Sequence, residues 1–456
     1  MPNNHKTKLL VVICCASFAS GLMASSVNVA LPDISREFNI NAATLPWITL
    51  TYILSSTIMM LAGGRLSDIY GRRRIFIYGL IIITAASFVC ALSGSEGMLI
   101  IFRGCQGIGN ALLNSPGSAI VVAAYPANQR GKALGIYLAS VYLGLTMGPL
   151  IGGVLTGYLG WRSLFFLNIP IGLVCLILLW QMRRIPDEAV YGRFDVTGWL
   201  ICSAAIFLIM YGLTLVPSWP GIWLFTGGLI GALVFIWWEK RTPIPLLDMD
   251  LFKNNRIFIF SNLAALINYG ATYGISLLIS LYVQYIKGYS PQGAGLILAS
   301  IPIMESIFSP LAGRWSDRLG SRNLASLGMA LSTVGLVMLY FISRETSTLY
   351  IVCALVVIGL GLALFVSPNS SAIMSSVASG SYGIASATLS VMRQMGMMLS
   401  LGIVTIIFAL YIGSSQITAQ YYPVFLSGVK LALGIFAVLS FAGIFASYAR
   451  GSRRNA

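Results

Sequence analysis

Gly64-Arg65-Leu66-Ser67-Asp68-Ile69-Tyr70-Gly71-Arg72-Arg73 is a short polar stretch between two long apolar runs. It returns later as Gly313-Arg314-Trp315-Ser316-Asp317-Arg318-Leu319-Gly320-Ser321-Arg322. Six of the ten positions are identical at an offset of 249 residues (64 to 313). Each copy follows the second apolar run of a block of six. Chance accounts poorly for a match in both spelling and place, so the chain reads as two related halves.

The composition names the solvent. Of 456 residues, 57% are hydrophobic and only 9% charged, against roughly 25% charged in soluble domains. So little charge cannot cover a globular surface, and most of this one must face lipid. The 47 glycines suit close helix–helix contact in a bilayer. A net charge of +15 would suggest nucleic acid in a soluble protein. Here the charge sits in short loops, where it sets orientation, and nucleic acid is not an expected partner. The seven cysteines all fall in apolar runs, and the single histidine, His5, lies in the N-terminal tail. No metal site, disulfide, cofactor or histidine-based catalysis is expected from that pattern.

A membrane-crossing helix needs about 20 mainly apolar residues. Fourteen such stretches occur: near 9–30, 44–63, 75–93, 97–124, 132–157 and 164–182; near 196–216 and 221–238; and near 257–286, 293–312, 323–343, 348–370, 384–411 and 425–449. The expected fold is all-α and polytopic, with fourteen transmembrane helices. Two six-helix bundles, residues 1–185 and 257–456, flank two inserted helices within 186–256. With the N-terminus inside, the cytoplasmic segments carry 21 Lys and Arg, and the outer loops carry four: Arg36, Arg162, Lys287 and Arg344. That asymmetry follows the positive-inside rule. It predicts a multi-pass protein of the cell membrane, in contact with lipid, with both termini cytoplasmic.

Paired repeats are the usual construction of alternating-access transporters, whose substrate site lies at the repeat interface near mid-membrane. The repeated loop is readable as a plain, tight, positively charged turn. That reading explains neither the repetition nor the acids. The sharper one is a cytoplasmic latch, in which Asp68 and Asp317 face arginines (Arg65, Arg72, Arg73, Arg318) or helix N-termini across the two halves.

With these residues in view, the chain resembles the major facilitator superfamily, and more narrowly its fourteen-span drug:proton antiporter family, the QacA-like group. The loop Gly64 to Arg74 is similar to the superfamily's signature. Arg103-Gly104-Cys105-Gln106-Gly107 resembles the family's Arg-x-x-Gln-Gly element. Gly144-Leu145-Thr146-Met147-Gly148-Pro149-Leu150-Ile151-Gly152-Gly153 fits its antiporter motif GxxxGPxxGG. Trp161-Arg162 with Phe165, Asn168, Pro170 and Gly172 looks like its WRxxFxxNxPxG. The resemblance implies the major facilitator fold and proton-coupled multidrug efflux of the kind that confers drug resistance. Gly144, Gly148, Gly152 and Gly153 make a smooth helix face, and Pro149 removes one backbone hydrogen bond. In the antiporter reading this face seals and reopens the domain interface. One departure matters: where the family carries an acid in span one, this chain has Met23. Coupling through that acid is not inherited.

Ionisable groups inside spans cost about 2.5–3.5 kcal/mol on insertion scales, so each needs a reason. Glu305 lies eight residues before Gly313, about 12 Å from the cytoplasmic end at helical rise, near mid-membrane. We read it as the proton-coupling acid, with a structural pair to Arg393 as the alternative. Arg103 resembles a superfamily arginine associated with proton transfer, and a hydrogen-bonded structural role is its alternative. By homology of position, spans one, four, nine and twelve line the cavity. The substrate-binding candidates are then Met23, Asn28, Asn114, Asn268, Tyr269, Tyr273, Asn369, Glu305 and Arg393.

These readings converge on a secondary antiporter, not an enzyme, exporting lipophilic, neutral or monovalent cationic compounds, and expected to act as a monomer. One carboxylate exchanging one proton for one monovalent cation is electroneutral, so the pH difference alone would drive it. Divalent cations would be poor substrates. The rival within transport is export of a specific metabolite or organic anion bound by Arg103 and Arg393.

Overall fold

The computed structural model describes residues 3–181, 194–216, 218–243, 246, 253, 255–378, 382–413 and 415–451; the side chains of residues 3–5, 127, 128, 131, 317 and 383 lie outside that description. It is helical throughout. The first block holds α1 (Asn3–Phe38), α2 (Trp47–Tyr70), α3 (Arg72–Ala91), α4 (Glu96–Ala124), α5 (Ala127–Leu159) and α6 (Arg162–Gln181). The inserted pair is α7 (Val196–Leu215) and α8 (Trp219–Glu239). Predicted span nine is built from α9 (Arg256–Thr272), α10 (Gly274–Leu281) and a π-turn, Tyr282–Ile286; span ten joins α11 (Pro291–Leu298) to α12 (Ser300–Leu319). Then come α13 (Ser321–Tyr340), α14 (Thr348–Ser375), α15 (Tyr382–Tyr411) and α16 (Tyr422–Ala449).

Side-chain caps mark where several helices begin. Ser95, Asn255 and Ser347 accept the backbone N–H three residues on, from Met98, Phe258 and Tyr350, and so satisfy donors that a helix start leaves open. The repeated loop has a shared backbone reason for its second glycine. Gly71 and the matching Gly320 sit at φ 101° and 82°, a region that side-chain-bearing residues avoid, and each joins two helices there without a gap.

Thirteen helices among the described residues are long and apolar enough to cross a membrane. The fourteenth predicted span is α4. At 29 residues it has the length, but Arg103, Gln106, Asn110 and Asn114 dilute its apolar character.

The chain forms two compact units: one of Met1–Ile40, Trp47–Ser203 and Ser290–Gly295, the other of Asn41–Pro46, Ala204–Tyr289 and Leu296–Ala456. In the first unit α4 packs against α2 and α3, and α1 lies along α5. In the second, α13 packs on α14 and α16, α12 packs on α14, and α9 on α15 and α16. The inserted pair is divided differently from the three-part organisation the sequence suggests. The start of α7 groups with the first unit; its remainder and α8 group with the second. Asp195 caps α7 by accepting the Gly198 N–H at 2.9 Å, and the Trp199 indole donates to the Ile58 carbonyl of α2 at 3.0 Å. Farther along, glycines let α7 and α8 touch backbone to backbone: a methyl at Gly228 would lie 2.6 Å from the Ile209 nitrogen.

Candidate functional site

In the first unit, polar groups fall into two sets. The deeper set is a chain of hydrogen bonds through four helices. Asn168 of α6 and Gln106 of α4 both donate to Ser87 Oγ of α3, each at 2.8 Å. Gln106 Oε1 accepts from Arg103 Nη1 at 2.8 Å, and Arg103 Nε donates to the Ile48 carbonyl of α2 at 3.0 Å. The Arg103 guanidinium lies 4.4 Å from the centre of the Tyr52 ring, and the side chain is fully buried. Such an arginine is held by charge-assisted hydrogen bonds and a ring face. It joins two sequence elements, Arg-x-x-Gln-Gly and the Asn168 segment, into one structure.

The second set centres on two half-buried amides, Asn110 and Asn114. Asn114 donates to Asn110 Oδ1 at 2.6 Å and to Ser20 Oγ at 3.3 Å, and Asn110 donates to Ser56 Oγ at 3.0 Å. Asn28, nearby in chain order on α1, accepts from Thr49 of α2 at 3.1 Å. Met23 is fully buried. The amides of Asn28 on α1 and of Asn110 and Asn114 on α4 are groups of this unit able to bond a polar solute, with Asn110 added to the candidates.

The glycine face of α5 meets α1. A methyl at Gly144 would collide with the Phe18 carbonyl and lie 2.9 Å from the Leu22 nitrogen; at Gly148 it would lie 2.9 Å from the Leu22 carbonyl oxygen; at Gly152, 2.8 Å from Ser26 Cβ. Ser25 Oγ bridges the seam to the Leu145 carbonyl at 3.0 Å. Gly153 abuts the 290–295 segment, 2.6 Å separating its absent methyl from the Pro291 carbonyl, and Gly295 approaches the Pro149 carbonyl. At the other end of α1, Glu37 accepts from the Trp161 indole and from Arg162, each at 2.7 Å. The Trp-Arg pair is therefore a clasp on the end of α1.

The repeated loop pairs internally in its first copy. Arg72 Nη2 lies 3.1 Å from Asp68 Oδ1, one helical turn away and 41% exposed on both sides, a geometry worth about 0–1 kcal/mol. Arg73 caps α6 by donating to the Leu179 carbonyl at 2.6 Å. Arg65 is half-buried and Arg318 exposed. The side chain of Asp317, the expected second latch acid, lies outside the described residues.

In the second unit, Glu305 on α12 is half-buried and near enough to Arg393 of α15 for their charges to interact. Arg393 donates to Ser370 of α14 at 2.7 Å and stands 5.7 Å from the centre of the Tyr269 ring of α9. Among the described residues no hydrogen bond or ion pair holds the Glu305 carboxylate. Four helices thus contribute to one cluster around an unbonded acid. Tyr273, half-buried, stands at the break between α9 and α10, where the Gly274 N–H bonds Ser400 Oγ at 2.9 Å. Asn268 is fully buried, and neither atom of its amide finds a hydrogen bond among the described residues. Asn369 stands apart from this cluster. Its Nδ2 donates to the Ser261 carbonyl at 3.0 Å, and its Oδ1 accepts from Arg450 at 3.0 Å.

The Major Facilitator Superfamily profile matches residues 13–401 and again 261–455. This chain belongs to that superfamily. The chain is 30% identical over 443 residues to the riboflavin transporter RibZ of Clostridioides difficile (strain 630), covering 96% of each protein. It is 32% identical over 421 residues to the multidrug resistance protein Stp of Mycobacterium tuberculosis (strain CDC 1551 / Oshkosh), covering 90% of this chain and 78% of that one. Multidrug-resistance relatives place it with the drug:proton antiporters of the superfamily. In fold it matches a bacterial homologue of the human lysosomal transporter Spinster, at TM-score 0.70 and 16% identity over 99% of this chain and 98% of that one. It is an integral membrane transporter of small molecules, not an enzyme.

One structural residue of the transporter escapes a sequence reading. Arg450, the first residue after the last span, registers there only as one more cytoplasmic charge. It is 1% exposed. Besides Asn369, it reaches Ser261 Oγ of α9 at 3.5 Å and the Ser321 carbonyl at the start of α13. Burial, with Arg322 near it, pushes Arg450 below the ordinary guanidinium range to about 10, so it stays charged at neutral pH. The fold-building role of Arg103 has a direct test. Arg103→Lys replaces a planar fork by a point charge, leaving Gln106 or Ile48 short of a donor. Stability should fall by about 1–3 kcal/mol, read as a lower melting temperature, while pH-driven transport per folded molecule is retained. Loss of pH-driven transport with unchanged melting would instead make Arg103 a coupling group.

Proposed function

We propose that this transporter is a proton-coupled antiporter that exports lipophilic, neutral or monovalent cationic compounds by alternating access, with both termini cytoplasmic and Glu305 as the exchanging carboxylate. The observation that carries the reading is the Glu305 cluster. A mid-span acid without a hydrogen bond among the described residues, across from Arg393, is free to change protonation or to meet a cation. An acid locked in a tight ion pair would do neither. Stp, named for multidrug resistance, supports the substrate class. The amides at Asn110 and Asn114 and the rings of Tyr269 and Tyr273 supply the mixed polar and apolar contact that varied organic solutes need. The duplication supports counting 1–185 and 257–456 as the rocking halves, with 186–256 inserted.

A second reading has its own observation. RibZ, matched along nearly its whole length, is named for riboflavin, so a specific metabolite is the alternative cargo. Purified protein in vesicles with an acid lumen decides between them. A lipophilic monovalent cation should accumulate inside, and clamping the membrane potential should leave its uptake unchanged, because one charge leaves as one enters. Riboflavin uptake with no cation uptake would favour the second reading; indifference of both to the pH gradient would sink proton coupling.

A further inference from the structure

We propose that the transporter holds an anionic phospholipid on the face formed by α13 and α14, with an acyl chain in a groove of that face and the headgroup at Lys287 and Arg344. The groove is lined by Thr333, Val334, Val337, Met338, Phe341 and Tyr350 and encloses about 320 Å³. Its two polar members are turned inward: Thr333 Oγ1 pairs with Ser440 Oγ at 2.9 Å, and Tyr350 Oη donates to the Met338 carbonyl at 2.9 Å. What remains is hydrocarbon on a membrane-crossing helix, with Val334, Val337 and Phe341 exposed.

At one end of the groove the chain builds a fixed, charged corner. The turn between α13 and α14 is tied to the end of span nine by three side chains. Tyr282 Oη donates to the Ser343 carbonyl at 2.7 Å, Lys287 Nζ donates to the Arg344 carbonyl at 2.5 Å, and Tyr289 Oη meets Thr348 Oγ1 at 2.6 Å. Four cations occupy the outer loops. Two of them neutralise neighbours, Arg36 on Asp33 and Arg162 on Glu37. The other two, Lys287 and Arg344, share this corner and have no ion pair among the described residues. Glu345 is the acid beside them, so the corner keeps a net positive charge. Two cations at the turn that follows the groove's Phe341 are complementary, together with the groove, to a molecule with a negative head and a hydrocarbon tail. Phe341, three residues before Arg344, connects the two parts of the site. The outer placement rests on the orientation proposed above.

Native mass spectrometry of the full-length protein, offered equal amounts of phosphatidylglycerol and phosphatidylcholine with matched chains, tests the site. Phosphatidylglycerol should be retained preferentially. Lys287→Gln and Arg344→Gln should each lower its retention about fivefold, as expected for a cation near a lipid surface. Val337→Trp, which fills the exposed groove without touching the core, should expel the bound lipid. Equal retention of the two lipids, a phosphatidylglycerol preference untouched by the double charge variant, or indifference to Val337→Trp would each overturn the proposal. So would displacement of phosphatidylglycerol by glycerol phosphate, which carries the charge without the chain.

Discussion

Glu305→Gln is expected to bring gradient-driven accumulation to background while substrate counterflow, which moves no net proton, continues. Glutamine keeps the volume and a hydrogen-bonding terminus but cannot take up or release a proton. The carboxylate makes no hydrogen bond among the described residues, and Arg393 keeps its bond to Ser370. Stability should therefore shift by no more than about 0.5 kcal/mol, as for substitutions away from packed or bonded features. The measurement is paired: uptake into acid-lumen vesicles, and exchange at equal pH, on the same preparation. Undiminished uphill uptake by the variant removes Glu305 from the mechanism. Loss of both activities with a lowered melting temperature makes it a structural partner of Arg393 instead.

Gly144→Ala should be the most damaging single-methyl change along α5, and Gly135→Ala a nearly silent one on the same helix. At Gly144 the added carbon meets backbone, the Phe18 carbonyl and the Leu22 nitrogen at 2.9 Å. No rotamer change relieves a backbone clash, so α1 and α5 must separate, and overpacking of this kind costs about 1–3 kcal/mol, occasionally more. At Gly135 nothing lies within 4 Å, and the change from glycine to alanine favours a helix by up to about 1 kcal/mol. Melting temperatures of the two variants should therefore move in opposite directions. A drop of equal size in both would mean that the glycine face of α5 is not a packing seam.

Much of the architecture was legible because a bilayer leaves few choices: apolar length, loop charge and the 249-residue repeat are enough to expect two six-helix blocks. The chemistry was less legible. Glu305 and Arg393 declared themselves as charges in spans, yet their approach across α12 and α15 depends on helix rotation, which a hydropathy pattern does not encode. Arg103 and Asn369 look like cavity residues by position. One is enclosed with Gln106, Ile48 and Tyr52, and the other ties Ser261 to Arg450. Asp68 carries an obvious latch motif, and its bond runs to Arg72 of its own loop. In each case the residue type was right for a polar contact, and the partner was set by which face of the helix it occupied. Span seven had no assignable residue in the sequence. Asp195 and Trp199 acquire roles only once α7 is seen to start beside α2.

The position of Arg450 has a consequence for biosynthesis. The chain is made from its N-terminus, so α9, α13 and α14 enter the membrane before the residue that ties Ser261, Ser321 and Asn369 together has been translated. α9 and α14 can already bond through Asn369 and the Ser261 carbonyl, but the bonds of Arg450 must wait until the ribosome has added the residue after α16. In this half of the molecule, one cross-tie cannot form before the last span has been translated.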